Sequence, residues 1–372
     1  MTRPAPTDAH YGRRRWTALI VFVLAVLIAA ALVRSACGGE PPFTGKLSEP
    51  GGGRAWRVTA WNLGNAAAIE RAATAQAIDE VDFVWYLSRA DGSFTTEKED
   101  LGLVRETRER GLQAFATVVN RKPGGDFDGD IAAAILATGE SRRRHIDKLV
   151  HLVVDKGFDG LDLDFELVKP ADRDRFSDFV DELAAALHGE DRLLSIAVFP
   201  KESEPGRWDS QKAADYKRLG AAVDEFKVMT YSYSGGWGDP GPQTPLSWAH
   251  RVLTFAASQV SAEKVLMGIP FYGFDWHGDT TTAVHWKSAD AKRREVGAPI
   301  LRHDGSGEAA YTYTDDDGVM HTVWFQDREA VAAKTAFFTG KHADLAGIAI
   351  WQMYGEDPRF WDVIRKGLRA KE

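Results

Sequence analysis

The stretch Asp159-Gly160-Leu161-Asp162-Leu163-Asp164-Phe165-Glu166 alternates acids with large apolar residues. Successive side chains of a β-strand point to opposite faces, so Asp162, Asp164 and Glu166 share one face while Leu161, Leu163 and Phe165 share the other. Neighbouring acids on that face lie about 6.6 Å apart along the strand. At an effective dielectric near 20, each adjacent charged pair costs about 2.5 kcal/mol. The three acids are therefore expected to hold fewer than three charges at neutral pH, with Asp162 sharing a proton with Asp164. A carboxyl group that keeps its proton near neutrality is suited to act as a general acid.

Outward from this segment, seven further short runs rich in Val, Ile, Phe and Tyr recur at wide spacing: Trp56–Trp61, Val81–Leu87, Leu112–Val119, Leu193–Phe199, Phe226–Tyr231, Val265–Tyr272 and Gly347–Met353. The acidic run, taken as Phe158–Glu166, is the fourth of eight. Between the runs lie stretches with apolar residues at steps of three and four, such as Ile146, Leu149, Val150, Val153 and Val154. Strand and helix in alternation imply a parallel sheet, and eight such units in one chain fit a closed (β/α)8 TIM barrel of the α/β class. No glycine-rich phosphate turn follows the first strand, as an open dinucleotide-binding sheet would require. The residues from about 276 to 327 read as short β-rich pieces, predicting a small α+β insertion between strands seven and eight. In such a barrel the apolar face of the fourth strand packs on the helices. The acids then point to the barrel centre, with Glu166 at the C-terminal end, where barrel enzymes place their active sites.

Ordinary glycosidases set two carboxyl groups on opposite sides of a sugar. Asp164 projects from the same side as Glu166, which suits a reaction in which the substrate supplies its own nucleophile. An N-acetyl group at C2 can attack C1 from the far face. Glu166 would then protonate the leaving oxygen and later activate water, while Asp164 would hold the acetamido N–H and stabilise the positive intermediate.

These residues are similar to the DxxDxDxE signature of glycoside hydrolase family 18, the chitinase-like barrels. MTYSYS (229–234), MGIPFYGFDW (267–276) and GIAIWQMYGEDPRFW (347–361) resemble the family's sixth, seventh and eighth strand segments. WYLSRADGS (85–93) and YTYTDDDGVMHTVWFQD (311–327) point to the bacterial branch of cell-wall and spore-type members. The resemblance implies that Tyr231 hydrogen-bonds the substrate acetamido group and that Trp351 forms the floor under the sugar. Asp159, the first acid of the signature, is placed with the substrate-binding residues. Trp61, Trp85, Tyr233, Trp237, Tyr272 and Trp276 fall at strand ends or in following loops, where they could line sugar subsites. The family commonly has Asp directly after the sixth-strand tyrosine, and here Ser232 stands there, which bears on rate and pH profile.

The expected activity is a retaining, substrate-assisted glycosidase acting on β-1,4 linkages next to N-acetylglucosamine, in peptidoglycan or chitin-like polymers. The alternative is a non-catalytic, lectin-like barrel. Neither a cofactor nor a required metal is expected, since the ten histidines show no metal-binding spacing and the single cysteine, Cys37, excludes a cysteine-based zinc site. DFDGD (126–130) has its glycine at the fourth position of a would-be calcium loop and Ala137 at the twelfth, so it reads as a helix cap. A net charge of -8 lacks the positive field that nucleic acid needs.

The N-terminus reads as an address. Arg13, Arg14 and Arg15 precede an apolar run from Ala18 to Val33, predicting an export or anchor helix within residues 1–35. Residues 36–53, rich in Gly and Pro, are expected to be a flexible linker, with the barrel spanning 54–372. The expected state is a monomer outside the cytoplasm, either membrane-associated through its N-terminal helix, lipidated at Cys37 or released by cleavage.

Overall fold

The computed structural model describes residues 45–369. The predicted anchor, Cys37 and the linker up to residue 44 lie outside the described residues. Eight parallel strands form a closed barrel, with the chain returning from the last strand to pair with the first. In order they are Arg57–Asn62, Glu80–Ser88, Gln113–Val119, Gly160–Asp164, Leu193–Val198, Glu225–Val228, Val265–Pro270 and Gly347–Trp351. A short strand, Phe94–Thr96, pairs antiparallel with the second. All eight predicted strands are present, most of them trimmed at their ends. Among the described residues no helix is long and apolar enough to cross a membrane.

The alternation of the fourth strand sorts its side chains as the sequence requires. Leu161, Leu163 and Phe165 join the apolar layer between barrel and helices, where the Phe165 ring stacks on Phe179 at 5.9 Å. Gly160 belongs to the inward set, and only hydrogen fits there. A Cβ would lie 2.6 Å from the Phe115 ring and 2.7 Å from the Leu193 carbonyl. The DFDGD segment is a cap, as expected: Asp128 accepts from the Asp130 N–H at the start of helix Gly129–Leu136.

Composition misleads in the linker. Ser48 N–H donates to Gln113 Oε1 at 2.8 Å, the Gln113 amide donates to the Lys46 carbonyl, and Gly51 N–H donates to Asp79. Residues 46–53 thus lie bonded to residues at the N-terminal ends of strands one to three, correcting the expectation of a free linker up to residue 53. Gly and Pro report backbone freedom, but these backbone groups find fixed partners on the barrel.

The insertion is an α+β unit, as predicted, but begins at Tyr272. Five antiparallel strands run in the order Thr280–His285, Tyr272–His277, Met320–Phe325, Ala309–Thr314 and Leu301–Arg302, with helix Trp286–Glu295 among them. A small apolar cluster including Ala289, Tyr311, Val323 and Phe325 joins helix to sheet.

The barrel interior carries charge. Lys227 of the sixth strand places its ammonium 3.0 Å from Glu80, 2.8 Å from Asp82 and 3.3 Å from Asp162, all fully buried. Below it, Arg57 bridges Glu80 and Glu225. Asp82, Asp162 and Lys227 come from strands two, four and six, the alternate-strand layering of such barrels. Burial opposes the charge on Lys227, but the carboxylates around it, Asp162 foremost, hold its pKa well above the ordinary value. Removing one partner of a buried ion cluster leaves uncompensated charge. Lys227→Met is expected to destabilise the barrel by about 3–5 kcal/mol, read as a lowered urea midpoint without change in slope.

Candidate active site

The acids that share a face have unequal surroundings. Asp162 accepts hydrogen bonds from Trp61 Nε1 at 2.8 Å, Thr117 Oγ1 at 3.1 Å, Ser195 Oγ and Lys227 Nζ. Four donors converge on one carboxylate. The like-charge argument counted the acids of one strand and did not include the cation that stands opposite Asp162. One repeat higher, Asp164 is buried, and its Oδ1 has no hydrogen-bond partner among the described residues. Burial first, then the charges of Glu166 and Asp162, push its carboxyl well above the usual range. Glu166 follows, beyond the strand end, partly buried and in no ion pair with the described residues. Burial raises its pKa from 4.5 to about 7.

The backbone of Glu166 is clamped by one side chain. Asn120, just past the third strand, donates to the Glu166 carbonyl at 2.7 Å and accepts from its N–H at 2.8 Å. Tyr231, after the sixth strand, has a buried hydroxyl with no partner among the described residues. Its pKa is raised by burial, then by Tyr272 and by the charges of Asp164 and Glu166. Its ring meets Tyr272 edge-on at 6.0 Å, and the Tyr272 hydroxyl bonds Ser232 Oγ. Ser232 therefore serves to hold Tyr272. Trp351, half-buried at the end of the eighth strand, rests on Trp61 with ring centroids 5.8 Å apart.

Asp162, Asp164, Glu166, Tyr231, Tyr272 and Trp351 thus come together, while four expected sugar contacts fall elsewhere. Asp159 sits at the opposite, N-terminal end of its strand, where it pairs with Arg108 at 3.1 Å and accepts from Ala114 N–H. It is a structural anchor. Trp85 lies at a register irregularity of the second strand, 1% exposed, packed on Phe83 in the layer under the helices. Alternation sets it on the outward face with Val81 and Phe83, so it packs under the helices and not toward the groove. Trp61, 2% exposed, is spent on Asp162 and on supporting Trp351. Trp276 is buried and donates to the Gly235 carbonyl, tying the rim loop to the insertion. Tyr233 is exposed on the rim against Trp248, in company with exposed Trp208, Trp237 and Tyr354 on loops after strands five, six and eight.

Sequence reading missed Asn120 and Lys227. Lys227 was findable: EFKV (225–228) and EVDF (80–83) carry the same alternation of charged and apolar residues as the acidic strand. Asn120 leaves no comparable pattern.

A closed (β/α)8 barrel with an acid of raised pKa at its C-terminal rim has the layout of a barrel enzyme's active site. Residues 122–357 match the model of glycosyl hydrolases family 18, and the chain belongs to that family. It is 31% identical over 247 residues to the uncharacterized glycosylase YvbX of Bacillus subtilis (strain 168), covering 66% of this chain and 71% of that one. It is 30% identical over 284 residues to a cortical fragment-lytic enzyme of Bacillus cereus, covering 74% of this chain and 65% of that one. A chitinase from Chromobacterium violaceum ATCC 12472 superposes with a TM-score of 0.79 at 29% identity, covering 85% of this chain and all of that one.

Because the folded protein holds the Glu166 proton more tightly than the unfolded chain, the stability it contributes is full below pH about 4.5 and is lost as pH rises through about 7. Glu166→Gln is therefore expected to raise the melting temperature relative to wild type above pH 7, with the gain vanishing below pH 4.5. Calorimetry across that range checks the sign.

Proposed function

We propose that this chain is a retaining glycosidase that cleaves β-1,4 bonds next to N-acetylglucosamine by substrate-assisted catalysis. The observation that carries the reading is that two buried groups near Glu166, Asp164 Oδ1 and the Tyr231 hydroxyl, have no partner among the described residues. A buried polar atom without a partner is costly, and an acetamido group would satisfy both. Its carbonyl oxygen would accept from Tyr231, and its N–H would donate to Asp164. So held, the carbonyl oxygen lies on the far side of C1 from Glu166. As the bond to the leaving oxygen breaks, Glu166 gives that oxygen its proton and the acetamido oxygen closes on C1. Asp164 accepts a hydrogen bond from the amide N–H, which keeps its proton, and stabilises the positive charge of the bicyclic intermediate. Glu166, now a carboxylate, takes a proton from water, which opens that intermediate and restores the configuration at C1.

Trp351 would lie under the sugar, and Tyr233, Trp208, Trp237 and Tyr354 would offer further stacking faces along the rim. Peptidoglycan and chitin-like chains both present the required acetamido group, and the relatives include a cortical fragment-lytic enzyme and a chitinase. We further propose that the arginine-led apolar segment exports the protein and leaves it membrane-associated or released, as a monomer.

Activity on N-acetylglucosamine oligomers and on isolated sacculi is expected to fall about 100- to 10,000-fold in Glu166→Gln and about 100-fold in Asp164→Asn. Nuclear magnetic resonance of the first product should show the β-anomer, and de-N-acetylated oligomers should not be cleaved. An α-anomer, or cleavage without the acetyl group, rejects the substrate-assisted route. The rate should also decline as pH rises past about 7, where Glu166 loses its proton.

A further inference from the structure

The insertion carries a side-chain cluster that the hydrolytic reaction does not use. On strand Tyr272–His277, Asp275 and His277 stand two residues apart and share a face. The antiparallel neighbour Met320–Phe325 sets His321 directly opposite His277. One ligand atom from each of Asp275, His277 and His321 lies within 4.8 Å of the others, the only such group of three among the described residues. His321 Nδ1 lies 2.8 Å from Asp275, and its Nε2 lies 3.3 Å from Asp315 on the following turn. The Tyr313 ring stacks on His321 at 4.3 Å and fixes its plane. Asp275 and His321 are mostly shielded, with side chains 14% and 11% exposed, while Asp315, 33% exposed, holds the far edge of the His321 ring.

We propose that Asp275, His277 and His321 bind a zinc-class divalent ion that cross-links the insertion, with water as the fourth ligand and Asp315 holding the opposite edge of the His321 ring. Two imidazoles and carboxylate oxygen form a borderline donor set, suited to zinc rather than to calcium or magnesium. Ligand atoms around tetrahedral zinc sit about 3.3 Å apart, given bonds of about 2.0–2.1 Å, so side-chain rotation on a preformed sheet closes the cluster. The ion replaces the proton shared between His321 and Asp275, and that proton leaves to solvent. The opposite face of the same strand carries Trp276, whose indole holds the rim loop at Gly235. The metal therefore braces the rim from behind and touches no reacting atom. Nothing in this inference depends on the proposed hydrolysis.

The chelator-treated full chain is titrated with Zn2+ by calorimetry, with Ca2+ and Mg2+ in parallel, and Co2+ is added for its visible spectrum. One equivalent of Zn2+ is expected to bind at micromolar or tighter affinity, without comparable binding of Ca2+ or Mg2+. His277→Ala and His321→Ala should each weaken it at least about tenfold, while His303→Ala, outside the cluster, leaves it unchanged. Circular dichroism of the metal-free variants separates lost ligation from lost fold, and in wild type Co2+ should give the intense bands of a tetrahedral site. Absence of Zn2+ binding, equal affinity in folded His277→Ala and His321→Ala, or an octahedral Co2+ spectrum overturns the proposal and leaves the cluster a hydrogen-bonded His–Asp pair.

Discussion

The ammonium of Lys227, shared among Glu80, Asp82 and Asp162 in the closed interior, is the interaction on which the site depends. A barrel of this kind ordinarily fills its centre with branched apolar side chains. Here charge occupies two of its levels, and each charge is tolerable only because another strand supplies its opposite. The arrangement fixes Asp162 in place, and with it the inward direction of every second residue up the fourth strand.

From that anchor the surroundings change in steps along a single strand. Asp162 accepts from four donors, Asp164 leaves one oxygen without a partner among the described residues, and Glu166 emerges partly exposed with its pKa near neutrality. The gradient separates what holds the fold from what meets the substrate. Asn120 completes it by fixing the backbone at Glu166, so that an acid beyond the last strand hydrogen bond is held as firmly as one inside. Trp61 links the two functions, binding Asp162 through its indole nitrogen and supporting Trp351 with its ring.

The rim is built on a different principle. Its walls come from loops and from the antiparallel insertion, joined by contacts such as Trp276 to Gly235 and Tyr272 to Ser232. The insertion has its own apolar cluster, which lets it act as a stiff wall instead of a long loop. Length and shape of the groove are therefore set apart from the acid chemistry at its floor.

The sequence by itself determined the eight strands, the faces of the fourth strand and the candidate proton donor, because period-two alternation and short apolar runs are local signals. It misplaced Trp85, Asp159 and residues 46–53, where the outward face shared with Val81 and Phe83, an arginine from a neighbouring helix and a glutamine at the base of the third strand decide the outcome. Only the tertiary structure decided which charges meet. Asp162 finds Lys227 at a separation of 65 residues and Trp61 at 101. Alternation tells which way a side chain points, and closure of the barrel alone determines what stands opposite.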